Sequence, residues 1–230
     1  MRIPAGIAMR PETARGHADW SKPRRRMLDR LRAEGIRDPR VLEAFDATPR
    51  HALVPEALQP QAYQDAALPI GDGQTISAPG VVAAMTQALE LKPSDTVLEI
   101  GTGSAYQAAI LSRLAARVVS IERVPRLAAE ARKTLDQLGL TNVIVYLGDG
   151  TQGRRSDAPF DAIVVTAGGP TIPDPLLDQL AIGGRLVGPF GDRDVQSLIR
   201  VRREGEDRFT EEVIGRCRFV DLIGAHGWAS

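Results

Sequence analysis

The sequence predicts an α/β protein with a Rossmann-like, doubly wound and mostly parallel sheet that carries an antiparallel edge. From about residue 96 onward, short β-type runs alternate with helical stretches, and this spacing is typical of right-handed crossovers. The runs are apolar almost throughout, as strands buried on both faces are. The last two runs have no helix between them, which predicts an antiparallel pair at one edge.

Each predicted element follows from its local pattern. The apolar β-type runs that predict strands are Thr96–Ile100, Val118–Ile121, Val143–Leu147, Ala162–Thr166, Arg185–Val187, Ser197–Val201 and Val213–Val220. The stretches that predict helices between them are Tyr106–Ala115, Leu127–Leu138 and Pro175–Leu180. Upstream, apolar residues at helical spacing predict a helix after Pro23, Asp38-Pro39 predicts the start of a second, and a third runs from Gly80 to about Leu91.

The chain of 230 residues divides into an extension and one domain. We expect residues 1–22 to be a flexible N-terminal extension, because proline, glycine and charge alternate there without an apolar period. Residues 23–230 then form a single domain, with helices and a long loop in 23–91 and the sheet in 92–230. Pro49–Pro79 is expected to be a long ordered loop with short extended pieces, and loops of this length inside compact domains are usually functional.

Composition excludes several classes of protein. Lys+Arg and Asp+Glu both number 29, and the formal charge of +0 argues against a general nucleic-acid binder. No apolar stretch approaches the ~20 residues of a membrane-spanning helix, and the first twenty residues lack the apolar core of a secretory signal. With the single cysteine, Cys217, we expect a cytoplasmic protein. The three histidines lie far apart, so we expect no metal site.

A glycine-rich loop follows the first predicted strand of the sheet. The strand runs into Gly101-Thr102-Gly103-Ser104 and then into a helix whose free N–H groups face the loop. Tyr106 stands where a dinucleotide motif has its third small residue, and its ring obstructs the approach of a pyrophosphate. The loop therefore favours a nucleoside ligand without pyrophosphate, for which S-adenosylmethionine is the candidate. An ordinary tight turn explains the glycines alone equally well.

Two carboxylates follow the next two strands. Glu122 lies roughly 20 residues after Gly103, where an acid accepts hydrogen bonds from ribose hydroxyls. Asp149, between Gly148 and Gly150, is a candidate acceptor for an adenine amino group. Each acid alone is more often a loop carboxylate or a helix cap. Three such sites at consecutive strand ends favour one ligand site at that edge of the sheet.

The chain resembles the protein-L-isoaspartate O-methyltransferase family from about Ile36 to Trp228. The glycine loop is generic to methyltransferases, whereas the segment LPIGDGQTISAP is specific to this family. The segments that carry the resemblance are GIRDPRVLEAF from Gly35, PRHALVP from Pro49, AYQDAALPIGDGQTISAP from Ala62, VLEIGTGSAYQAAIL from Val97, GDGTQG from Gly148, APFDAIVVTA from Ala158, IPDPLLDQL from Ile172 and RFVDLIGAHGW from Arg218.

The resemblance implies the class I S-adenosylmethionine-dependent methyltransferase fold, with S-adenosylhomocysteine as the product of the donor. The implied acceptor is the α-carboxylate of L-isoaspartyl residues in damaged proteins and peptides, whose methyl ester collapses to a succinimide and starts repair. No nucleic acid, membrane or metal is implied. Carried onto this sequence, the catalytic hydroxyl is Ser77 and the substrate contacts are Thr75, Ile76 and Ser77. The implied cofactor contacts are Ile76, Ser77, Glu99, Gly101, Thr102, Gly103, Glu122, Asp149 and Gly150.

Ser77 is expected to orient the acceptor. The acceptor carboxylate is already ionised at neutral pH, so the reaction needs no strong base. Ser77 is not expected to act as a nucleophile, because no histidine or lysine near it in sequence takes its proton. The alternative is that Ser77 caps the helix that follows Pro79.

The sequence departs from the family pattern at three places. Ala105 replaces a usual glycine, and we expect its methyl group to lie near the methionine end of the cofactor and to weaken binding. Thr151 replaces a usual tryptophan, and Gly168-Gly169 replaces a stiffer alanine or proline pair.

Two other functions remain open from the residues alone. One is a methyltransferase of the same fold that acts on RNA or on a small molecule, and the other is a binding module that keeps the pocket without turnover. Balanced charge and an aromatic content of 4% count against RNA, which calls for a basic groove and stacking platforms.

Overall fold

The computed structural model describes residues 19–229. Most of the expected N-terminal extension lies outside the described residues, but Ser21 and Lys22 already belong to the first helix. None of the described helices has both the length and the apolar composition to cross a membrane. The α-helices of this part of the chain are α1 (Ser21–Ala33), α2 (Pro39–Ala47), α3 (Pro79–Ala88), α4 (Tyr106–Leu111), α5 (Pro125–Gln137) and α6 (Asp174–Asp178).

The main sheet has seven strands in the order β5-β4-β3-β6-β7-β8-β9. Strands β3 to β7 are parallel to one another, and β8 and β9 are antiparallel at one edge. The predicted fold class is confirmed. The strands of the chain are β1 (Leu68–Gly71), β2 (Gln74–Ile76), β3 (Thr96–Ile100), β4 (Arg117–Glu122), β5 (Val143–Leu147), β6 (Phe160–Val165), β7 (Leu180–Gly191), β8 (Gln196–Arg203) and β9 (Phe209–Cys217).

Alternate residues of the central strands build two cores. Val97 and Val118 face the cluster that includes the three N-terminal helices, whereas Leu98 and Val119 face the cluster on the other side of the sheet. This alternation follows from the two-residue repeat of a strand, and both faces are covered, which is why the strand sequences are apolar without a break.

Strand β7 is much longer than predicted. The apolar pattern indicated only Arg185–Val187, but the strand spans Leu180–Gly191. Gly183, Gly184 and Pro189 interrupt the apolar run, and these residues are rare inside strands, so the sequence hides the extra length.

The short extended pieces predicted in the long loop before α3 include a β-hairpin, whose pairing the sequence did not indicate. Strands β1 and β2 pair antiparallel, with Leu68 opposite Ile76. Asp72 and Gly73 both have positive φ, 52° and 69°, as a tight two-residue hairpin turn requires. Arg126 of α5 holds the turn by donating to the Asp72 carboxylate at 2.7 Å. The hairpin delivers the residues that follow β2 to the carboxyl edge of the sheet.

A fully buried arginine anchors this loop from inside. Arg50 donates to the carbonyl oxygens of Ala62 at 2.6 Å and Ala66 at 3.3 Å, and its guanidinium lies 4.5 Å from the centre of the Tyr106 ring. Because the ring belongs to α4, this contact fixes the loop against the helix that follows the glycine-rich segment.

A second buried arginine joins α3 to the sheet. Arg185 and Asp95 form an ion pair at 2.9 Å in which both side chains are almost completely buried. Arg185 also donates to the carbonyl oxygens of Leu89 at 2.6 Å and Glu90 at 2.7 Å. The guanidinium therefore satisfies carbonyls at the end of α3 that the helix itself leaves without partners.

We expect Arg185→Met to lower the free energy of unfolding by about 3–5 kcal/mol, because it leaves the Asp95 carboxylate buried without its cation. Urea denaturation of both proteins measures the difference. Arg200→Met is the control, since its partners Glu90 and Glu212 are exposed and such pairs contribute less than about 1 kcal/mol. Equal losses in the two variants would contradict the assigned role.

Candidate active site

One cavity lies at the carboxyl ends of β3, β4 and β6, where the strand order reverses direction along the chain. In open α/β sheets this switch point is the usual place for a ligand. The cavity is lined by residues 74–77 of β2 and the position after it, 100–104 from the end of β3, 121–123 from the end of β4, Gly150 after β5, 166–167 after β6 and 219–223 near the C-terminus, together with residues of α3 and α4.

The loop after β3 has a backbone that requires glycine. Gly101 has φ of +95°, and a Cβ there would lie 2.6 Å from the Thr166 hydroxyl oxygen. That hydroxyl donates to the Gly101 carbonyl oxygen at 2.6 Å, and so it ties the loop to the end of β6. Gly103 also has positive φ, +51°. A larger residue at either position would strain the backbone that forms the floor of the cavity.

Glu122 is held in place by two backbone groups. Its Oε2 accepts a hydrogen bond from the Gly103 N–H at 2.8 Å, and its Oε1 accepts one from the Val124 N–H at 2.9 Å. The residue is 5% exposed and lines the cavity. Each carboxylate oxygen has more than one acceptor position, so both keep capacity for a ligand. This geometry suits the predicted contact with a ribose.

Glu99 lies behind the glycine loop and is not among the residues that line the cavity. Its side chain is fully buried and accepts a hydrogen bond from the Ser120 hydroxyl, which lies 2.5 Å from the Thr102 hydroxyl. Burial, together with the nearby Glu122 carboxylate, raises the pKa of Glu99 from 4.5 to about 8, although the hydrogen bond from Ser120 opposes this shift. Glu99 therefore supports Thr102, which does line the cavity.

The Asp149 carboxylate is occupied by protein groups. It accepts hydrogen bonds from the Thr151 N–H at 2.9 Å, from the Thr151 hydroxyl at 2.7 Å and from the Ala225 N–H at 2.8 Å. Burial alone would raise the pKa of Asp149, but these hydrogen bonds hold it below its ordinary value. Only the neighbouring Gly150 lines the cavity. Asp149 thus joins the end of β5 to the C-terminal segment.

That C-terminal segment forms a wall of the cavity, and no site residue was predicted in it. Gly168 donates to the Val220 carbonyl oxygen at 2.7 Å, and its own carbonyl oxygen accepts from the Trp228 indole N–H at 2.9 Å. A Cβ on Gly168 would lie 2.9 Å from the Gln196 side chain, which accepts a hydrogen bond from the Phe219 N–H at 2.9 Å, so glycine leaves room for a contact that holds the segment to β8. The segment has no periodic pattern, and the only sequence signal was its resemblance to the family.

The Ser77 hydroxyl is not a helix cap. The N-cap residue of α3 is Ala78, and the N–H of Gly80 donates instead to Asp65 at 2.8 Å. Ser77 lines the cavity, and none of the residues in 19–229 forms a hydrogen bond with its hydroxyl. The capping interpretation of Ser77 is therefore wrong, and its hydroxyl is available to a ligand. Thr75 and Ile76 line the same wall.

Ala105 does not face the cavity. Its backbone is left-handed, with φ of +67°, and its methyl group is buried beside Ala108, Ala109 and Ala128. The expectation that this methyl lies near the bound ligand is wrong, because it points into the packing between α4 and α5. The family's usual glycine is explained by the backbone conformation instead.

The remaining reactive side chains are not arranged as a catalytic or metal centre. Within residues 19–229, no group of three or more His, Cys, Asp or Glu side chains is placed to hold a metal ion. His51 stacks on Trp20 with ring centroids 4.8 Å apart and shares a hydrogen bond of 2.7 Å with the Tyr63 hydroxyl. Burial raises the pKa of Cys217 to about 11, which keeps it a thiol. His17 lies outside the described residues.

A parallel sheet with an antiparallel edge, a glycine loop after its central strand and an acid at the end of the next strand define the class I methyltransferase fold. A family model described as protein-L-isoaspartate(D-aspartate) O-methyltransferase matches residues 22–227. The chain therefore belongs to the protein-L-isoaspartate O-methyltransferase family.

Individual relatives agree. The protein-L-isoaspartate O-methyltransferase of Syntrophus aciditrophicus is 56% identical over 213 residues, which are 91% of this chain and 98% of that protein. The protein-L-isoaspartate O-methyltransferase of Roseiflexus sp. is 52% identical, and the match covers 92% of this chain and 97% of that protein. A solved protein-L-isoaspartate O-methyltransferase superposes with a TM-score of 0.78 at 28% identity, over 89% of this chain and 67% of that one. A Plasmodium falciparum structure with S-adenosyl-L-homocysteine shares the fold at 24% identity and a TM-score of 0.76, over 87% of this chain and 98% of that one.

We expect Glu99→Gln to change how stability depends on pH. The folded pKa of Glu99 is above its ordinary value, so its contribution to stability is complete below about pH 4.5 and is lost as the pH rises through about 8. As the pH rises from 5 to 8, the free energy of unfolding of the variant should therefore increase relative to that of the wild type, by on the order of a few kcal/mol. Urea denaturation across this range measures the gain, and parallel curves would show that Glu99 titrates normally.

Proposed function

We propose that this chain transfers a methyl group from S-adenosylmethionine to the α-carboxylate of L-isoaspartyl residues in damaged proteins, and so starts their repair. Membership of the family supports this activity. The observation that carries the residue assignments is one cavity that holds both a fixed carboxylate, Glu122, and the Ser77 hydroxyl, which has no hydrogen-bond partner within residues 19–229. The first suits the donor and the second suits the acceptor.

The cavity fits the donor by its hydrogen-bonding groups. S-adenosylmethionine has hydroxyl groups on its ribose, and the Glu122 carboxylate offers free acceptor positions at the end of β4. The apolar side chains of Ile76, Met85 and Ile100 line the same cavity. Most ligand pockets have walls that are largely apolar. The loop from Gly101 to Gly103 brings backbone close to the ligand. When bound, the donor supplies an electrophilic methyl group with its own leaving group.

The protein then has little chemistry to perform beyond positioning. The acceptor α-carboxylate, with a reference pKa near 3.3–3.7, is ionised at neutral pH. The titratable side chains of the cavity wall within residues 19–229 include no histidine or lysine that would act as a base. Holding the carboxylate in line with the methyl group can contribute ~7–11 kcal/mol to lowering the barrier. Ser77 is proposed to donate the hydrogen bond that sets this alignment.

The acceptor peptide is proposed to enter beside the β1–β2 hairpin, along the loop Gln59–Ser77. Thr75 is exposed and lines the cavity, and it directly precedes the buried Ile76. An extended peptide that pairs with exposed backbone in this loop would bring its isoaspartyl branch to Ser77. Thr75 and Ile76 are the proposed substrate contacts on either side of that entry.

We propose one domain from residue 23 to the C-terminus, which acts in the cytoplasm on proteins and peptides without a metal. The balanced charge and the single thiol of Cys217 support this setting. Of the proposed cofactor contacts, Ile76, Ser77, Gly101, Thr102, Gly103, Glu122 and Gly150 line the cavity, whereas Glu99 and Asp149 would act on the cofactor only through Thr102 and Gly150.

A pair of peptides that differ only at one residue tests the activity. We expect methyl transfer from labelled S-adenosylmethionine to a peptide with one L-isoaspartyl residue, and none to the same peptide with aspartyl, because only the former presents the branched α-carboxylate. Alkali-labile counts in each peptide measure the transfer. Equal labelling of the two peptides, or of neither, would contradict the proposed function.

We expect Ser77→Ala to lower kcat/KM for the isoaspartyl peptide by roughly ten- to a hundredfold, the loss of one hydrogen bond to a charged group. The dissociation constant of S-adenosylhomocysteine should change far less than kcat/KM, and the melting temperature should not change. Asp65→Ala is the matched control, because it removes the real cap of α3 and should cost about 1 kcal/mol of stability. If Ser77→Ala destabilised the protein as Asp65→Ala does, its role would be structural.

A further inference from the structure

Gln107 is a buried residue of the cavity wall that the proposed function does not yet use. It is the second residue of α4, it is 5% exposed, and it lines the cavity together with Ser77 and Met85. Its side-chain carbonyl oxygen, Oε1, is closed off from bulk water and has no hydrogen-bond partner among the described residues. Buried acceptors in native proteins almost always have a partner, so this oxygen calls for a donor from outside the chain.

A hydroxyl on the neighbouring helix fixes which way the amide of Gln107 points. The Thr86 hydroxyl donates its only proton to the Val82 carbonyl oxygen at 2.7 Å. It can therefore only accept from Gln107, and the Nε2 group donates to it at 3.0 Å. A reversed amide would set Oε1 against the Thr86 oxygen, two acceptors without a proton between them. The hydrogen bonds that link Val82, Thr86 and Gln107 therefore direct Oε1 away from α3.

The chemistry of the donor molecule identifies the group that Oε1 can accept from. S-adenosylmethionine has hydrogen-bond donors in three places, namely the adenine amine, the ribose hydroxyls and the α-ammonium of the amino-acid end. Glu122 serves the ribose in the proposed function, and Gly150, which lines the cavity after β5, follows Asp149, the proposed contact for adenine. Gln107 lies past the glycine loop on the side of α3 and α4. A carbonyl oxygen also cannot bind the carboxylate of the acceptor.

We propose that Oε1 of Gln107 accepts a hydrogen bond from the α-ammonium of the methyl donor, which makes Gln107 a specificity residue for the amino-acid end. This inference rests on the proposed function, since it assumes that S-adenosylmethionine occupies the cavity. A neutral amide suits this place, because Glu99 and Glu122 already put two carboxyl groups next to the glycine loop. The amide adds an oriented acceptor without a third buried acid.

A cycle of two ligands and two proteins tests the proposal by calorimetry. The ligands are S-adenosylhomocysteine and its analogue with hydrogen in place of the α-amino group. We expect the wild type to prefer the amino ligand, and Gln107→Met to reduce this preference by about tenfold, the effect of a hydrogen bond to a charged group. An equal preference in the wild type and in Gln107→Met would overturn the proposal.

A second variant keeps the test decisive if Gln107→Met does not fold. Thr86→Val removes the hydroxyl that orients the amide and nearly preserves the shape of the side chain, so we expect it also to reduce the preference for the amino ligand. A raised KM for the isoaspartyl peptide with an unchanged ligand preference would overturn the proposal by assigning Gln107 to the acceptor. If the wild type bound neither ligand, the result would contradict the proposed function itself. Binding of both without any dependence on Gln107 would remove only this inference.

Discussion

The site depends on the way one carboxylate holds the glycine loop. Glu122 accepts from the N–H of Gly103 in that loop and from the N–H of Val124 just before α5. Two strands that are neighbours in the sheet are thereby locked together beyond their last backbone pair. The hydrogen bonds also orient the carboxylate before any ligand arrives, so binding does not have to restrict a mobile side chain.

The other acids at this edge support the scaffold. Glu99 holds Ser120 and, through it, Thr102 beneath the loop, while Asp149 holds Thr151 and the backbone of Ala225. One stabilises the floor of the cavity and the other its C-terminal wall. Burial raises the pKa of Glu99, whereas hydrogen bonds lower the pKa of Asp149. Two carboxyl groups at the same edge of the sheet therefore have opposite pKa shifts because their surroundings differ.

Much of the fold was predictable because it follows from local patterns. The apolar runs placed all seven strands of the main sheet, and Asp38 caps α2 as its position before proline indicated. The pairing of β1 with β2 was missed because these strands have three or four residues and too few side chains to show alternation. The length of β7 was missed because its glycines break the apolar run.

The site was predictable where backbone chemistry determines it and less so elsewhere. The glycines and Glu122 follow from the geometry of a strand end, whereas Ser77 came from the family resemblance alone. The family resemblance named Glu99 and the end of a strand pointed to Asp149, but neither showed that protein groups occupy these two carboxyl groups. The roles of Gln107 and the C-terminal wall depend on contacts between residues far apart in the chain, which no local pattern records.

The most direct test is a crystal structure of the protein with S-adenosylhomocysteine. We predict that the ribose hydroxyls lie within hydrogen-bonding distance of the Glu122 carboxylate and that the sulfur faces the Ser77 hydroxyl across the cavity. A nucleoside bound elsewhere, or a Ser77 hydroxyl turned away from the sulfur and bonded to the protein, would contradict the assignment of this cavity as the place of methyl transfer.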